Sequence, residues 1–257
     1  MIHSTAIVSP KAEIAGGVEI GPYAVIGEFV TLSPECRVGA HAVIEGPAFF
    51  GEGNRIFPHV ALGLAPQDLK YRDEKTELRV GARNVFREYL TVHRGTVGGG
   101  GVTVIGDDNY LMAYIHIAHD CRVGSRTIFA NYAALAGHVE IGDDAILEAF
   151  CAVQQFSRVG RHAFVGAMTR ASQDVLPFVK TVGTDEVRTY GVNTIGLKRK
   201  GFSDERIERL KDIFRLLASP RLNTSQALGR IEQEFPDDPD ASYVAGFVRS
   251  AKRGVHK

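Results

Sequence analysis

One apolar residue recurs at every sixth position through two thirds of this chain. Stepping by six from Ile2 meets Val8, Ile14, Ile20, Ile26, Leu32, Val38, Ile44, Phe50, Ile56 and Leu62 without a break. The next two steps fall on Asp68 and Glu74, after which Val80, Phe86 and Val92 resume the same phase, so residues 63–79 leave the repeat and must project outward. A glycine-rich break, "GTVGGGGVT" (95–103), moves the phase by one. The second series then runs Ile105, Leu111, Ile117, Val123, Phe129, Leu135, Ile141, Leu147, Val153, Val159, Val165 and Ala171. Helices need a period of 3.6 and ordinary sandwich strands a plain alternation. A strict six with a frequent following glycine, as at Gly21, Gly39, Gly124 and Gly142, is the mark of a parallel β-helix. Each hexad supplies a short strand and a corner, and its aliphatic residue points into a prism.

The pattern resembles the left-handed β-helix of hexapeptide-repeat acyltransferases, in which three hexads make one triangular turn. Eighteen residues per turn then becomes a ruler: residues eighteen apart stack on neighbouring turns, roughly 4.8 Å apart as in any sheet. Beyond Gln173 the six-period stops, and from Ser203 a helical stripe appears with Ile207, Leu210, Phe214 and Leu217. Two shorter helices are expected around 224–235 and 241–252, parted by the turn "FPDDPD". The expected architecture is therefore an all-β solenoid plus α: a left-handed parallel β-helix over 1–178, a connecting segment over 179–202, and a C-terminal helical domain over 203–257 that caps the solenoid end.

Composition narrows the function classes. Lys plus Arg equals Asp plus Glu at 30 each, so no net charge points to nucleic acid, and a charged partner must be met by a local patch. Cys36, Cys121 and Cys151 are scattered and lack the spacing of a disulfide framework or structural zinc site. No apolar run reaches the ~20 residues of a membrane span, and the N-terminus lacks a signal-peptide pattern, so a cytoplasmic protein is expected.

The polar residues of interest centre on "HIAHDC" (116–121). Its His-x-x-His spacing alone leaves metal ligand, catalytic base and surface imidazole all open. The ruler places His119 beneath Gly137 and Gln155, Asp120 beneath His138 and Phe156, and His116 beneath Ala134. "HIAHDC", "AGHVE" and "QQFS" thus gather into one patch on adjacent turns.

These segments, with "QDLKY" (67–71), "TVHRGT" (91–96), "LAGHV" (135–139), "QDV" (173–175) and "GVNTIGLKRKGF" (191–202), resemble in order and spacing the acyl-carrier-protein-dependent UDP-N-acetylglucosamine O-acyltransferases, which begin lipid A synthesis. The resemblance covers essentially the whole chain. It implies that His119 is the general base that takes the proton from the glucosamine 3-hydroxyl as that oxygen attacks an acyl thioester. Imidazole suits this work at cellular pH. Asp120 is a candidate orienter, provided the backbone turns there, since consecutive strand residues point apart. Gly137 matches the position whose N–H meets the oxyanion. The resemblance further implies substrate contacts from His116, His138, Gln154 and Gln155, from Gln67, Asp68 and Lys70 on the ejected loop, and from Asn193 and Arg199 at the nucleotide end. Ala167, beside Met168, matches the residue that stops the acyl chain. Acyl carrier protein and a UDP-sugar are the implied partners, a homotrimer with sites between chains the implied assembly, and no cofactor or metal is expected.

Three positions depart from the family pattern: Gln154 where a histidine is usual, Ile195 for a glutamate, and Lys200 for an arginine. They bear on the acceptor, which could be the 3-amino analogue of the sugar. Lys198, Arg199, Lys200, Arg249, Lys252 and Arg253 are candidates for docking an acidic carrier protein. A γ-carbonic-anhydrase-like zinc site from His93, His116 and His119 is the rival enzyme reading, disfavoured because no two of the three fall one turn apart on the ruler. The glycine run 98–101 lacks the GK[ST] of a phosphate loop and reads as a pliable turn.

Overall fold

A computed structural model describes residues 1–257. The chain winds into a left-handed three-sided parallel β-helix whose faces are parallel sheets of nine, ten and ten short strands, one of the ten-stranded sheets closing on an antiparallel hairpin. The faces are named here by one strand each: the His116 face (His116–Ile117), the Arg122 face (Arg122–Val123) and the Tyr110 face (Tyr110–Leu111). Along most of the prism each strand pairs with the one eighteen residues on, as Ile128 with Ile146 and Ile146 with Phe164. The repeat aliphatics fill the interior. Ile44, Leu62, Phe86, Leu111, Phe129 and Leu147 are fully buried there.

The two departures from the repeat are insertions of different length. Ala48 pairs with Leu78, thirty residues on, so twelve residues, two whole hexads, are added and the phase survives. Strands Ala61–Leu64 and Glu77–Val80 continue the prism on either side, so the excursion proper spans 65–76, narrower than the expected 63–79. Glu77 pairs with Val102, twenty-five residues on, so the glycine-rich break adds seven and shifts the phase by one.

Turning three times in eighteen residues requires corners in the left-handed backbone region. Tyr23, His41, His59, Tyr89, Tyr114, Tyr132, Phe150 and Met168 line one edge, all with φ between 57° and 63°. Such residues cost on the order of 1–2 kcal/mol each outside glycine. Ring stacking offsets part of that: Tyr23 through Phe150 form a continuous stack at centroid spacings of 4.8–5.1 Å. Aromatic pairs contribute roughly 0.5–1.5 kcal/mol beyond area burial.

The segment 179–202, expected as a connector, is built into the prism. Strand Val179–Val182 pairs with Phe164–Val165, and Arg188–Val192 folds back antiparallel on it. Helix α1 (Thr194–Arg199) follows, then α2 (Asp204–Leu217), α3 (Thr224–Glu234) and α4 (Pro239–Arg249). Helix α2 buries Ile207, Leu210, Ile213 and Leu217, so Ile213 takes the place expected of Phe214, which is only partly covered. The C-terminal strand Val255–His256 returns to pair with Asp174–Val175. Buried Asp240 fastens the cap to the prism, accepting from Arg161 Nη2 (2.9 Å) and Arg206 Nε (2.6 Å).

A buried asparagine ladder holds the edge between the Arg122 and Tyr110 faces. Asn84 Nδ2 donates to Asn54 Oδ1 (3.1 Å), and Asn84 Oδ1 accepts from Asn109 N–H and Nδ2, both at 2.9 Å. Truncating Asn84 to alanine orphans the Asn109 N–H and leaves Asn109 Nδ2 only the Gly124 carbonyl (3.0 Å), and a buried unsatisfied group costs about 1–3 kcal/mol. Asn84→Ala should therefore lower the melting temperature markedly while leaving the Michaelis constants of the folded protein unchanged, which thermal denaturation and steady-state kinetics check together.

Candidate active site

Between His116–Ile117 and Arg122–Val123 the chain turns the edge joining their two faces, and Asp120 sits there with φ 61°. A straight strand would send residues 119 and 120 to opposite sides. The left-handed residue brings them together, and His119 Nδ1 lies 2.7 Å from Asp120 Oδ2. The Asp120 side chain has no exposed surface. Thr96 N–H donates to its Oδ1 (2.8 Å) and the Thr96 hydroxyl to its Oδ2 (2.6 Å), while Asp120 N–H donates to Thr103 Oγ1 (2.8 Å). The glycine-rich break thus makes a folded clamp and not the pliable turn expected. Its 3-10 turn, Val97–Gly99, lies so close that a Cβ on Gly99 would strike the Asp120 carboxylate, and Gly100 and Gly101 adopt φ 97° and 82°.

A carboxylate only accepts, so the contact assigns the His119 proton to Nδ1 and leaves the Nε2 lone pair for an incoming proton. Gly137 lies on the next turn. A Cβ there would stand 2.6 Å from His119 Cε1, so the imidazole itself demands the glycine. The Gly137 N–H, like those of His119 and Gln155 at the same corner position, donates to no acceptor in the chain. His138 stacks on Phe156 (4.4 Å) and meets His119 edge-on (5.2 Å), with Nε2 3.7 Å from Asp120 Oδ2. Burial pushes the His138 pKa below the ordinary imidazole value, against the opposing pull of the Asp120 charge. The Asp68 charge on the excursion also favours its cation, which places that loop within electrostatic reach of the site.

His116 hydrogen-bonds through Nδ1 with Thr91 Oγ1 (2.8 Å) and contacts His93 edge-on at 5.1 Å. That contact corrects the expectation that no two of His93, His116 and His119 neighbour on adjacent turns. The seven added residues pair Thr91 with His116 and so bring His93 alongside. Burial holds His116 below its usual pKa, and burial takes His93 down to about 4. Both are neutral imidazoles at cellular pH.

Gln154 and Gln155 are exposed on the turn above Gly137. Gln67 and Lys70 are exposed on the excursion, whose base is tied by Arg94 Nε donating to Tyr71 Oη (3.0 Å) and Arg94 Nη1 donating to the Gly46 and Gly63 carbonyls. Other candidates lie elsewhere on the prism. Asn193 caps α1 and donates to the His162 carbonyl (3.2 Å), so it and Arg199 sit at the edge between the Arg122 and Tyr110 faces. Ile195 is exposed, and Lys200 Nζ is engaged by buried Asp144 (2.7 Å). Ala167 and Met168 lie on the third edge, three turns along the axis from Tyr114. Sequence reasoning missed Thr91, Thr96, Gly99 and Thr103. The signal available for them was the phase shift itself.

His119, Asp120 and His138 offer atoms within 4.8 Å of one another, near enough to surround an ion. Both Asp120 oxygens already accept hydrogen bonds from Thr96 and His119, an arrangement suited to holding protons rather than an ion. The cysteines are buried, with Cys121 pushed up to about 12 and Cys151 to about 11 by burial, which makes them poor ligands and nucleophiles.

Residues 174–256 match the family described as UDP-N-acetylglucosamine O-acyltransferase, domain 2, and residues 102–137 match bacterial transferase hexapeptide repeats. A protein of Thermodesulfovibrio yellowstonii named acyl-(acyl-carrier-protein)–UDP-N-acetylglucosamine O-acyltransferase is 44% identical over 254 residues, 99% of this chain and 98% of its own. A protein of the same name from Thiobacillus denitrificans is 46% identical over 254 residues, again 99% of this chain and 98% of its own. The crystal structure of the UDP-N-acetylglucosamine acyltransferase of Bacteroides fragilis superposes with a TM-score of 0.97 at 36% identity, covering 100% of both chains.

The depressed His93 pKa makes stability depend on pH. The unfolded chain binds a proton near 6.5 and the folded chain only near 4, so stability is full above about 6.5 and falls as pH drops toward 4. At the lower end the loss is roughly 3 kcal/mol. In thermal melts at stepped pH, His93→Leu should lose a share of this acid slope; an unchanged slope would show that His93 does not carry it.

Proposed function

The chain belongs to the acyl-carrier-protein-dependent UDP-N-acetylglucosamine O-acyltransferases, and from that premise we propose how its residues carry out the transfer. An (R)-3-hydroxyacyl group passes from acyl carrier protein to the 3-hydroxyl of UDP-N-acetylglucosamine, the first step of lipid A biosynthesis. The observation that carries the mechanism is a histidine whose Nδ1 rests on a buried carboxylate, with Nε2 free beside an unpaired Gly137 N–H.

His119 Nε2 takes the hydroxyl proton as the sugar oxygen attacks the thioester carbonyl. Asp120 steadies the imidazolium that forms. The carbonyl oxygen becomes an oxyanion facing the Gly137 N–H. Collapse breaks the carbon–sulfur bond, the thiolate of the carrier leaves with the electron pair, and His119 returns the proton to it. The products are the 3-O-acyl sugar nucleotide and the free carrier thiol. His116 and His138, neutral through burial, serve as hydrogen-bonding contacts rather than charges. The relatives are named O-acyltransferases, which favours ester formation over the 3-amino analogue and over zinc chemistry.

Two prism edges point to a trimer. His119 is on one edge and Asn193 and Arg199 are on another, with α4 packed against the face between them through Arg158 and the Phe247 carbonyl. Both sets reach one sugar nucleotide when a second copy lays its edge along the first. For the carrier, Lys198 is paired with Asp204, Lys200 with Asp144 and Arg249 with Glu232, which leaves Arg199, Lys252 and Arg253 as the unpaired cations for an acidic partner. A protein-borne thioester donor fits work in the cytoplasm, and no helix is long and apolar enough to cross a membrane.

Above His116 stand Ala134 and Ala152, with Ala136 two residues along from Ala134, a smooth path for a hydrocarbon chain toward Ala167 and Met168. Three turns at ~4.8 Å place that end roughly 14 Å up the axis from the level of His119.

His119→Ala should lower turnover by roughly 10²–10⁴ with the fold intact, and the wild-type activity should survive EDTA. Product mass after incubation with acyl carrier thioesters and UDP-N-acetylglucosamine checks both; turnover within a few-fold of wild type would remove the general base assignment. In the same assay with thioesters of graded length, Ala167→Met should move the preference toward shorter chains, since a longer side chain occupies the far end of the path.

A further inference from the structure

The catalytic pair is held by a third residue that belongs to the break in the repeat. Thr96 makes two hydrogen bonds to Asp120, one from its N–H to Oδ1 and one from its hydroxyl to Oδ2. The hydroxyl is the donor because a carboxylate oxygen only accepts, and the same hydroxyl accepts from Gly99 N–H (3.2 Å). Oδ2 is also the oxygen that receives His119 Nδ1–H. One carboxylate oxygen therefore takes a proton from each side, and the break presses Gly99 against the same carboxylate from behind. Nothing in the repeat itself requires this. The corners at His138 and Phe156 close without such an inserted clamp.

From this geometry we infer that Thr96 is a positioning residue for the acyl transfer, fixing through Asp120 both the orientation of His119 and the share of carboxylate charge it feels. The inference rests on the reading of His119 as general base. With the hydroxyl removed, Oδ2 carries more charge toward the imidazole and favours its protonated form, while the Thr96 N–H still holds Oδ1. The other titratable groups around His119 are His93, His116 and His138, with Asp68 beyond His138. They are unchanged by the substitution.

The test compares wild type with Thr96→Val, Thr96→Ser and His119→Ala. Expected for Thr96→Val is a kcat lower by about tenfold or more, from misplacement of the base, a sugar-nucleotide KM within about twofold, and an acid limb of kcat/KM moved up by on the order of half a pH unit. Thr96→Ser should restore both. Gly99→Ala, which drives a methyl into the carboxylate from the other side, should lower kcat too, and supplies the test if Thr96→Val folds poorly. A wild-type kcat and acid limb in Thr96→Val and Gly99→Ala, with His119→Ala inactive, would overturn the role of Thr96 and leave the base in place. A fall in kcat with an unmoved acid limb, or one that serine does not restore, would show ordinary loosening and also overturn it. An active His119→Ala would instead overturn the general base reading beneath it.

Discussion

Everything in this protein depends on the hydrogen-bonded register between successive turns of the prism. Backbone groups of one turn pair with those eighteen residues away, so side chains distant in sequence stack at strand spacing. The register is costly to keep because each turn forces non-glycine residues into the left-handed region at its corners. The molecule places rings, carboxylates and imidazoles there. At one edge the outcome is a stack of aromatic rings; at another it is Asp120, His138 and Phe156 on three consecutive turns, the first two of which belong to the candidate active site. The same backbone conformation that closes the solenoid aims the Asp120 carboxylate at His119.

Insertions act on this register in two ways, and their lengths decide which. Twelve residues are two hexads, so the loop carrying Gln67, Asp68 and Lys70 leaves and returns without disturbing what stacks above it. Seven residues are not a multiple of six. The glycine-rich break therefore displaces the pairing, setting Thr91 opposite His116 and bringing Thr96 onto Asp120. The first insertion adds a loop that reaches toward His138, and the second builds the floor of the site.

This difference also explains what the sequence disclosed. The interior aliphatics, the faces and the stacking of His119 beneath Gly137 were legible because each depends only on period and offset. The left-handed turn at Asp120 was stated as a requirement and could not be derived, since an aspartate in a strand carries no marker of its backbone angle. The contact of His93 with His116 and the clamp of Thr96 were hidden because the eighteen-residue ruler fails across an insertion that is not a whole number of hexads. The prism strands within 179–202 escaped notice because one of them runs antiparallel and none keeps the apolar six. Phe214 was misplaced for a simpler reason: Ile213 and Phe214 are adjacent on a helical stripe, and the cap buries the smaller.

The electrostatics of the site follow from gathering four imidazoles close together with a buried carboxylate beside two of them. Each histidine removed from water loses stabilisation of its cation, and each added cation would repel the others, so burial and mutual repulsion together keep His93 and His116 neutral. His138 feels the same penalty with Asp120 3.7 Å away, a distance too long for a hydrogen bond, and it remains depressed. Only His119 touches the carboxylate directly. In the proposed mechanism the imidazole in contact with that anion is the one that takes the proton, and its neutral neighbours serve as donors and acceptors for substrate. His119 and His138 differ by about one ångström in their approach to the same oxygen, 2.7 Å against 3.7 Å, and that ångström accompanies the corner conformation of Asp120 and the two hydrogen bonds from Thr96 that hold its carboxylate.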